Sequence, residues 1–428
     1  MKVLVVGSGG REHALCWKIR CSNRVKDLYA VPGNAGISKI AKCIDIKIGS
    51  PNYFADLANL VKKEHIDLII VGPEAPLVEG ISDYFANQGL RIFGPNKRAA
   101  RLEGSKAFAK HFMKKYGIPT ADFCTFTNFG DAVEYIKKKG VPIVIKASGL
   151  AAGKGVSVCF SLEEAIDSLR RIMVSQVFGR AGQRVVIEEY LEGDEVSILA
   201  FVDGETFIPM VSSTDHKRIF DQDKGPNTGG MGAYSPTPVV TREIERRIEE
   251  EILYPTVKGL LDEGERYVGV LYLGLMITRD GPKVLEYNIR FGDPETQVIL
   301  PRLRTDLVEI IEACLSGSLN RLEIKWDEGA TVCVVVASGG YPGKYENGKE
   351  ILGLEEVGSM ENVFVFHAGT VQRNGKIVTS GGRVLGVTSS ARTMDEAVKK
   401  VYTAVDKIHF DSMYYRKDIG YKALKIGG

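Results

Sequence analysis

The chain lacks any C-x-x-C pair, any long apolar run and any marked excess of charge. Its seven cysteines, Cys16, Cys21, Cys43, Cys124, Cys159, Cys314 and Cys333, form an odd and scattered set. A disulfide framework is not indicated, zinc is not expected, and most of these thiols read as small buried apolar residues. No apolar run approaches the ~20 residues of a membrane span. Met1 to Gly10 is a short apolar strand ending in glycines, without the longer core of a secretory leader. Lys and Arg number 56 against 54 Asp and Glu, a net charge of +2. Bulk electrostatics therefore point to neither nucleic acid nor membrane, although local anion sites remain open. The cytoplasm is the expected setting. Repeats and low-complexity tracts are also missing.

What is present is an ordinary globular composition, 44% apolar and 26% charged over 428 residues, enough for roughly three domains at ~150 residues each. Lys2–Val6 reads as a buried parallel strand, Gly7–Gly10 as a turn, and Arg11–Arg20 as a helix. Leu28–Val31, Asp67–Val71 and Arg91–Phe93 are further short strands, each ending in a Gly/Pro loop. This alternation predicts a parallel α/β domain, with ligands bound outside the carboxyl ends of its strands. The middle region mixes strands at Val141–Lys146, Val185–Glu189, Glu195–Val202 and Val284–Ile289 with helices. Thr241–Leu253 is a clear helix, N-capped by Thr241 and carrying Ile244, Ile248 and Ile252 at i+4 spacing. Its charged run is the solvated face. A last region from about Ala330 holds short strands, an Asn374-Gly375 hairpin turn and a helix over Met394–Ile408.

The richest stretch is Leu285–Gln297. Glu286 and Asn288 fall two apart on a strand and so share a face. A carboxylate and an amide oxygen are hard ligands, suited to Mg²⁺ that keeps waters and phosphate oxygens in its other positions. Arg290 extends that face and is suited to a bidentate contact with an anion. Asp293 and Glu295 follow around a proline. A strand with a solvated polar face is the plain alternative for E-x-N-x-R alone, because short motifs match often by chance. The preceding strand, Gly269–Met276, carries no acid.

Two glycine loops invite phosphate. Gly7-Ser8-Gly9-Gly10-Arg11-Glu12 has Glu12 where a dinucleotide turn needs its third glycine. The second strand also ends in Pro32-Gly33-Asn34 without a ribose-binding acid, which disfavours a nicotinamide cofactor. Such a turn still offers backbone N–H groups and a helix N-terminus to a phosphate, or is simply a tight connection. Gly149-Leu150-Ala151-Ala152-Gly153-Lys154-Gly155 follows the strand that carries Lys146. It has three residues where a P-loop has four, and Gly155 where a P-loop has Ser or Thr. As a flexible loop with Gly149, Gly153, Lys154 and Gly155, it is suited to close over phosphates beside Lys146. A hairpin with a solvated lysine is the alternative.

The longer string Arg290-Phe291-Gly292-Asp293-Pro294-Glu295-Thr296-Gln297, with Asp215-His216-Lys217-Arg218 and Pro226-Asn227-Thr228-Gly229-Gly230-Met231-Gly232, resembles the phosphoribosylamine–glycine ligases of the ATP-grasp superfamily. The resemblance runs the whole chain and weakens in the last hundred residues. It implies an α/β and α+β multidomain fold. Residues 1–104 would form a parallel α/β domain, and 105–327 an ATP-grasp domain with a lid subdomain at about 123–190. Residues 328–428 would form a small α+β domain. It implies ATP and Mg²⁺ or Mn²⁺, with glycine and 5-phosphoribosylamine as substrates, no nucleic acid or membrane, and a monomer or weak homo-oligomer. Glycine would be phosphorylated on its carboxylate and then attacked by the amine.

By the same resemblance, Lys106 meets ATP phosphate, Glu188 and the Leu191 backbone meet adenine, and Glu195 meets ribose. Gly9, Arg11, Gly72, Pro73 and Glu74 would hold the phosphate and ribose of the amine substrate. Asp215, Asn227, Thr228, Gly229, Gly230, Met231 and Gly232 would add substrate contacts. Lys217, Arg290 and Asp293 would be the catalytic side chains. A purine carboxylase of the same superfamily and a non-catalytic nucleotide sensor remain as alternatives, as does a nicotinamide oxidoreductase resting on the first glycine turn alone, which NAD(P)H binding would revive. Dependence on bicarbonate would mark the first, and absence of turnover the second.

Overall fold

The structure is a computed structural model that describes residues 1–151 and 153–426. The N-terminal region builds a parallel five-stranded sheet from β1 (Lys2–Gly7), β2 (Asp27–Pro32), β3 (Lys42–Cys43), β4 (Leu68–Val71) and β5 (Ile92–Phe93), in the order β3-β2-β1-β4-β5. Both faces of β1 are covered. Leu4 and Val6 enter one apolar cluster, and Val3 and Val5 enter another with Leu15 and Ile19 of the helix Gly10–Arg20. This two-sided burial is why the strand reads as a continuous apolar run.

A small antiparallel sheet follows, made of β6 (Phe123–Phe126), β7 (Ile143–Ala147), β8 (Val156–Cys159) and β9 (Val185–Glu189), ordered β6-β9-β7-β8. Its helices Phe129–Lys139 and Leu162–Leu169 close an apolar cluster of its own, containing Ile143, Ile145 and Ile187. The glycine-rich stretch 149–155 joins β7 to β8, with the Ala147 amide donating to the Gly155 carbonyl at its base.

The central body carries β10 (Asp194–Asp203), β11 (Phe207–Pro209), β12 (Thr214–Asp215), β13 (Arg218–Phe220), β14 (Lys224–Asn227), β15 (Gly232–Ser235), β16 (Val268–Thr278) and β17 (Gly281–Asn288). Strands β11-β10-β16-β17 form one antiparallel sheet with β17 at its edge. Thr241 caps its helix through the Ile244 amide, as its sequence predicts. The helix does not stop at Leu253, however. A wide π turn over Glu249–Leu253 carries it past Pro255 to Asp262. A wider turn accommodates a residue with no N–H to give.

The C-terminal region contributes β18 (Ala330–Ser338), β19 (Val363–His367), β20 (Thr370–Arg373), β21 (Lys376–Thr379) and β22 (Arg383–Ala391). Asn374 and Gly375 take φ of 51° and 78° between β20 and β21, the turn the sequence calls for. The large sheet here runs β12-β15-β18-β22-β19. Two strands of the central chain, β12 and β15, are therefore built into the C-terminal sheet. That pairing carries the segment 215–232 to the boundary between body and C-terminal region.

Candidate active site

Glu286 and Asn288 lie on edge strand β17 and alternate onto the same face. Opposite Glu286 on β16 stands Gly274, where a Cβ would come 3.1 Å from Glu286 Cγ. The acid-free strand thus leaves room for the Glu286 side chain rather than adding a ligand. Lys217 Nζ lies 3.8 Å from Glu286 and 3.2 Å from Glu195. Burial pushes the Glu286 carboxyl upward, but Lys217, Lys106, Lys146 and Arg290 outweigh it and hold the group below its ordinary range. Glu286 is thereby kept as an anionic oxygen donor. The described residues contain no cluster of three His, Cys, Asp or Glu suited to a metal. A cation here would take Glu286 and Asn288 and fill its shell with phosphate and water oxygens.

Arg290 differs from its sequence-level expectation. Its guanidinium is already engaged by protein: Nε donates to Glu74 at 3.3 Å, Nη2 to Glu103 at 3.0 Å and to Asn288 Oδ1 at 3.1 Å, and Nη1 to the Phe291 carbonyl. Glu103 is buried, and its other oxygen accepts from the Ile289 amide. Burial works to raise the Glu74 carboxyl, but Arg290 and Arg11 overcome it and draw it down to about 2. Arg290 thus ties Glu74 to the metal strand and fixes the Asn288 amide. Glu103 was not legible as part of this arrangement; nothing in Arg101-Leu102-Glu103 marks it.

The first glycine turn meets the same loop from the other side. The Gly9 amide donates to Glu12 Oε2 at 2.6 Å, Arg11 Nε to Glu12 Oε1 at 2.6 Å, and Arg11 Nη1 to the Phe291 carbonyl at 3.0 Å. Arg11 is buried and turned inward rather than presented to a ligand. Glu12 explains the glycines around it: a Cβ at Gly7 or Gly72 would overlap its side chain. A Cβ at Gly9 would stand 3.3 Å from Asp293 Oδ2, so the loop backbone lies against that carboxylate. Asp293 is flanked by Arg383 at 3.4 Å and accepts from Gln297 Nε2 at 2.8 Å. Burial alone would raise this carboxyl, but Arg383, Arg11 and the Gln297 bond keep it below its ordinary value. Pro73 sits at the N-cap of the short helix that begins with Glu74.

On the lid side, Lys146 Nζ donates to Glu188 at 3.0 Å and to the Leu285 carbonyl at 3.0 Å. Lys110, one helical turn beyond Lys106, meets the same Glu188 oxygen at 2.9 Å. The i+4 spacing was the available signal for Lys110. Lys106 Nζ reaches the Gly149 carbonyl at 3.4 Å. Burial lowers the proton affinity of Lys106, with Glu286 opposing. Leu191 is buried with Ala121 and Met276, and Leu285 packs against them. They make an apolar wall beside a Glu188 whose second oxygen, Oε1, is buried without a partner among the described residues. Glu195 stays close to half exposed beside Lys217. Lys154 is not gathered with the other lysines: its ammonium donates to the Pro342 carbonyl at 3.2 Å. A Cβ at Gly153 would touch the Thr228 carbonyl, so the lid loop lies against the 225–232 segment. Gly155 is packed against Ala151 and Ala147.

Asp215 and Lys217 sit where β12 leads into this cleft. Burial, then Glu295, Glu195 and Glu286, raise the Asp215 carboxyl to about 8 against the opposing pull of Lys217. The Thr228 amide and hydroxyl both donate to the Lys217 carbonyl, and the Gly230 amide donates to Thr228 Oγ1. Asn227 ends β14. Arg383 Nη1 donates to the Gly229 carbonyl at 2.7 Å and to the Asp293 carbonyl at 2.8 Å. Met231 and Gly232 differ from the sequence-level assignment. Met231 is fully buried with Ile219 and Ala337, and a Cβ at Gly232 would press on the Cys333 carbonyl. Their side positions serve the packing of the C-terminal sheet. Arg383 and Lys110 were missed by sequence reasoning because each acts through a partner distant in the chain; Glu12 and Gln297, bonded to nearby Gly9, Arg11 and Asp293, were missed because nothing local marks them.

Three family profiles cover most of the chain: phosphoribosylglycinamide synthetase N domain over residues 1–103, ATP-grasp (A) domain over 104–296, and C domain over 331–422. A phosphoribosylamine–glycine ligase of Halalkalibacterium halodurans is 53% identical, covering 99% of this chain and 97% of its own. One from Pseudomonas aeruginosa is 51% identical, covering 99% and 98%. Among solved structures, a phosphoribosylamine–glycine ligase of Thermotoga maritima superposes with a TM-score of 0.85 at 37% identity, over 98% of this chain and 100% of its own. A biotin carboxylase domain of Hydrogenobacter thermophilus reaches 0.74 at 18% identity, over 100% and 94%, a likeness of fold.

Proposed function

The chain belongs to the phosphoribosylglycinamide synthetase family, and we propose that it performs the reaction for which its relatives are named. It is an ADP-forming ligase that joins glycine to 5-phosphoribosylamine, giving glycinamide ribonucleotide, ADP and phosphate, in purine biosynthesis. The observation that carries this reading is Glu286, with Lys217 at 3.8 Å and its carboxyl held down by Lys217, Lys106 and Lys146, at the edge strand where Asn288 adds a second oxygen donor. Phosphoryl transfer is catalysed by positioning and charge neutralisation, and such a site provides both without a protein nucleophile.

In the proposed reaction the γ-phosphoryl of ATP passes to a carboxylate oxygen of glycine, forming glycyl phosphate and ADP. The amine of phosphoribosylamine then attacks the carbonyl carbon, the carbon–oxygen bond to phosphate breaks, and phosphate leaves. Lys106 and Lys146 hold ATP phosphates. The apolar wall at Leu191 and the free Glu188 oxygen receive adenine, and Glu195 the ribose. A divalent cation, Mg²⁺ or Mn²⁺, would be held by Glu286 and Asn288 and would neutralise phosphate charge when bound. Arg290 orients Asn288 rather than binding the anion alone. Asp293, held between Gln297 and Arg383 against the Gly9 backbone, orients the incoming amine, and Lys217 keeps Glu286 ionised. The glycine loop, lying on the 225–232 segment, keeps water from the acyl phosphate.

The proposed domain limits are 1–104, 105–327 and 328–428. The partners we propose are small-molecule substrates, with no nucleic acid or membrane, and the chain a monomer or weak homo-oligomer. All seven cysteines are free thiols, which suits a reducing cytoplasm. The test is ADP release from the purified protein with ATP and Mg²⁺. Release that requires glycine and freshly generated phosphoribosylamine together supports the reading. Release that depends on bicarbonate, or no release at all, rejects it.

A further inference from the structure

A cavity of about 900 Å³ opens between the lid sheet and the C-terminal region, away from the metal strand. Its lid wall is the edge strand β8 (Val156–Val158) together with Arg171 and Phe178, and its floor is the β13–β14 hairpin with Arg218 and Phe220. The far wall is the loop Gly339–Gly343 and the segment Ser412–Tyr414. Lys146, Glu188, Glu195, Glu286 and Asn288 do not line it. The volume falls within the range of pockets that take nucleotide-sized ligands.

Its chemistry has one sign. Lys154, Arg171 and Arg218 face it, and among the described residues no carboxylate lines it. Lys154 and Arg218 donate to backbone carbonyls, of Pro342 and Gly225. Three cations without an acid leave an uncompensated positive potential inside a partly enclosed cleft, which focuses on anions. An aromatic platform adjoins them. Phe220 is 50% exposed and stands edge-on to Tyr414, with ring centroids 6.0 Å apart. A half-exposed phenylalanine in a concave site is an apolar face for a planar ring, and an arginine beside it adds stacking as well as charge.

The cavity also touches two segments that border the cleft. Lys154 belongs to the glycine loop, and the Tyr341 hydroxyl accepts from the Gly229 amide at 3.1 Å in the substrate segment. We propose that this cleft is a second binding site, for a nucleoside monophosphate or an equally compact anion bearing a planar ring. Occupancy would bridge β8 and Arg171 to the C-terminal wall of the cleft. The proposal rests on the lid reading above, and ligand binding at the cleft is measurable whether or not the ligase reaction is confirmed.

The experiment is calorimetric titration of AMP into the full-length protein already saturated with Mg-ADP, whose own binding is measured first. The expected result is one equivalent of AMP bound to the ADP-loaded protein. Arg171→Glu should weaken AMP at least tenfold, and Phe220→Ala should weaken it several-fold. Both variants should bind Mg-ADP as the parent does and turn over at the parent rate without AMP. No AMP binding to the ADP-loaded protein would overturn the proposal. So would equal AMP affinity in Arg171→Glu, a matching loss of Mg-ADP affinity in that variant, or inorganic phosphate binding as tightly as AMP. Failure of Mg-ADP to bind at all would instead count against the ATP-site reading.

Discussion

Lys110 Nζ lies 2.9 Å from the Glu188 carboxylate, and both side chains are 2% exposed. Lys146 meets the same oxygen, while Glu188 Oε1 has no partner among the described residues. Two ammonium groups on one carboxylate oxygen leave the other oxygen ready for a donor such as an adenine amino group. Burial and the nearby Lys146 pull Lys110 down to about 8 despite Glu188. Lys110→Met should therefore cost stability, of order 3 kcal/mol for breaking a buried pair. It should also raise KM for ATP more than it lowers kcat. Thermal melting and a KM–kcat split for ATP check this; an unchanged KM would contradict the role in nucleotide binding.

Glu286→Ala should reduce turnover by at least about 10²–10³-fold, the range seen when one preorganised electrostatic contact is lost. The melting temperature should stay close to that of the parent, since Glu286 is about one-third exposed and not core. ADP release measured with Mg²⁺ decides it, and near-parental turnover would remove Glu286 from the metal site.

Stability should fall as pH drops below about 6.5. His13 and His367 pack against each other across the N- and C-terminal regions, with the His367 amide donating to His13 Nδ1. Burial, then His367 and Lys39, lowers His13 to about 3, and burial with Lys39 lowers His367 to about 4. Both groups are depressed, so the stability is fully present above the unfolded pKa near 6.5. It is lost as pH falls toward 4, because the unfolded chain takes up protons that the folded one refuses. Each histidine steepens the curve by up to about 1.4 kcal/mol per pH unit in that window. His13→Asn, which keeps an acceptor for the His367 amide, should flatten the denaturant-derived stability between pH 6.5 and 4. An equally steep curve would show that the pair is not responsible.

Cation binding at neutral pH should release a proton from Asp215. Its carboxyl, raised to about 8 by burial and three neighbouring acids, holds a proton in the ligand-free cleft at pH 7. A divalent ion at Glu286 favours the charged form and drives that proton off. Calorimetry of Mg-ATP binding in buffers of different ionisation enthalpy should show release of up to one proton at pH 7, less at pH 9, and little in Asp215→Asn. Equal release in that variant would contradict the assignment.

Much of this fold was legible because local patterns agreed with their surroundings. β1, the Thr241 cap and the Asn374-Gly375 turn follow from period, capping oxygen and positive φ alone. Glu286 and Asn288 were readable because strand alternation places them together. The inward turn of Arg11 and the full engagement of Arg290 were not, since both depend on Glu12, Glu74 and Glu103 arriving from other elements. Met231 looked like part of a ligand loop because its glycine neighbours do. Its burial follows only once β15 joins β18, a pairing across roughly a hundred residues that no local pattern encodes.

The central claim is that glycine is activated on its carboxylate within this cleft. The direct measurement is a single-turnover reaction with glycine labelled with ¹⁸O in the carboxylate, with ATP, Mg²⁺ and phosphoribosylamine, followed by mass analysis of the phosphate. The account predicts one ¹⁸O atom in each phosphate released. Unlabelled phosphate, formed alongside glycinamide ribonucleotide, would contradict the acyl phosphate route.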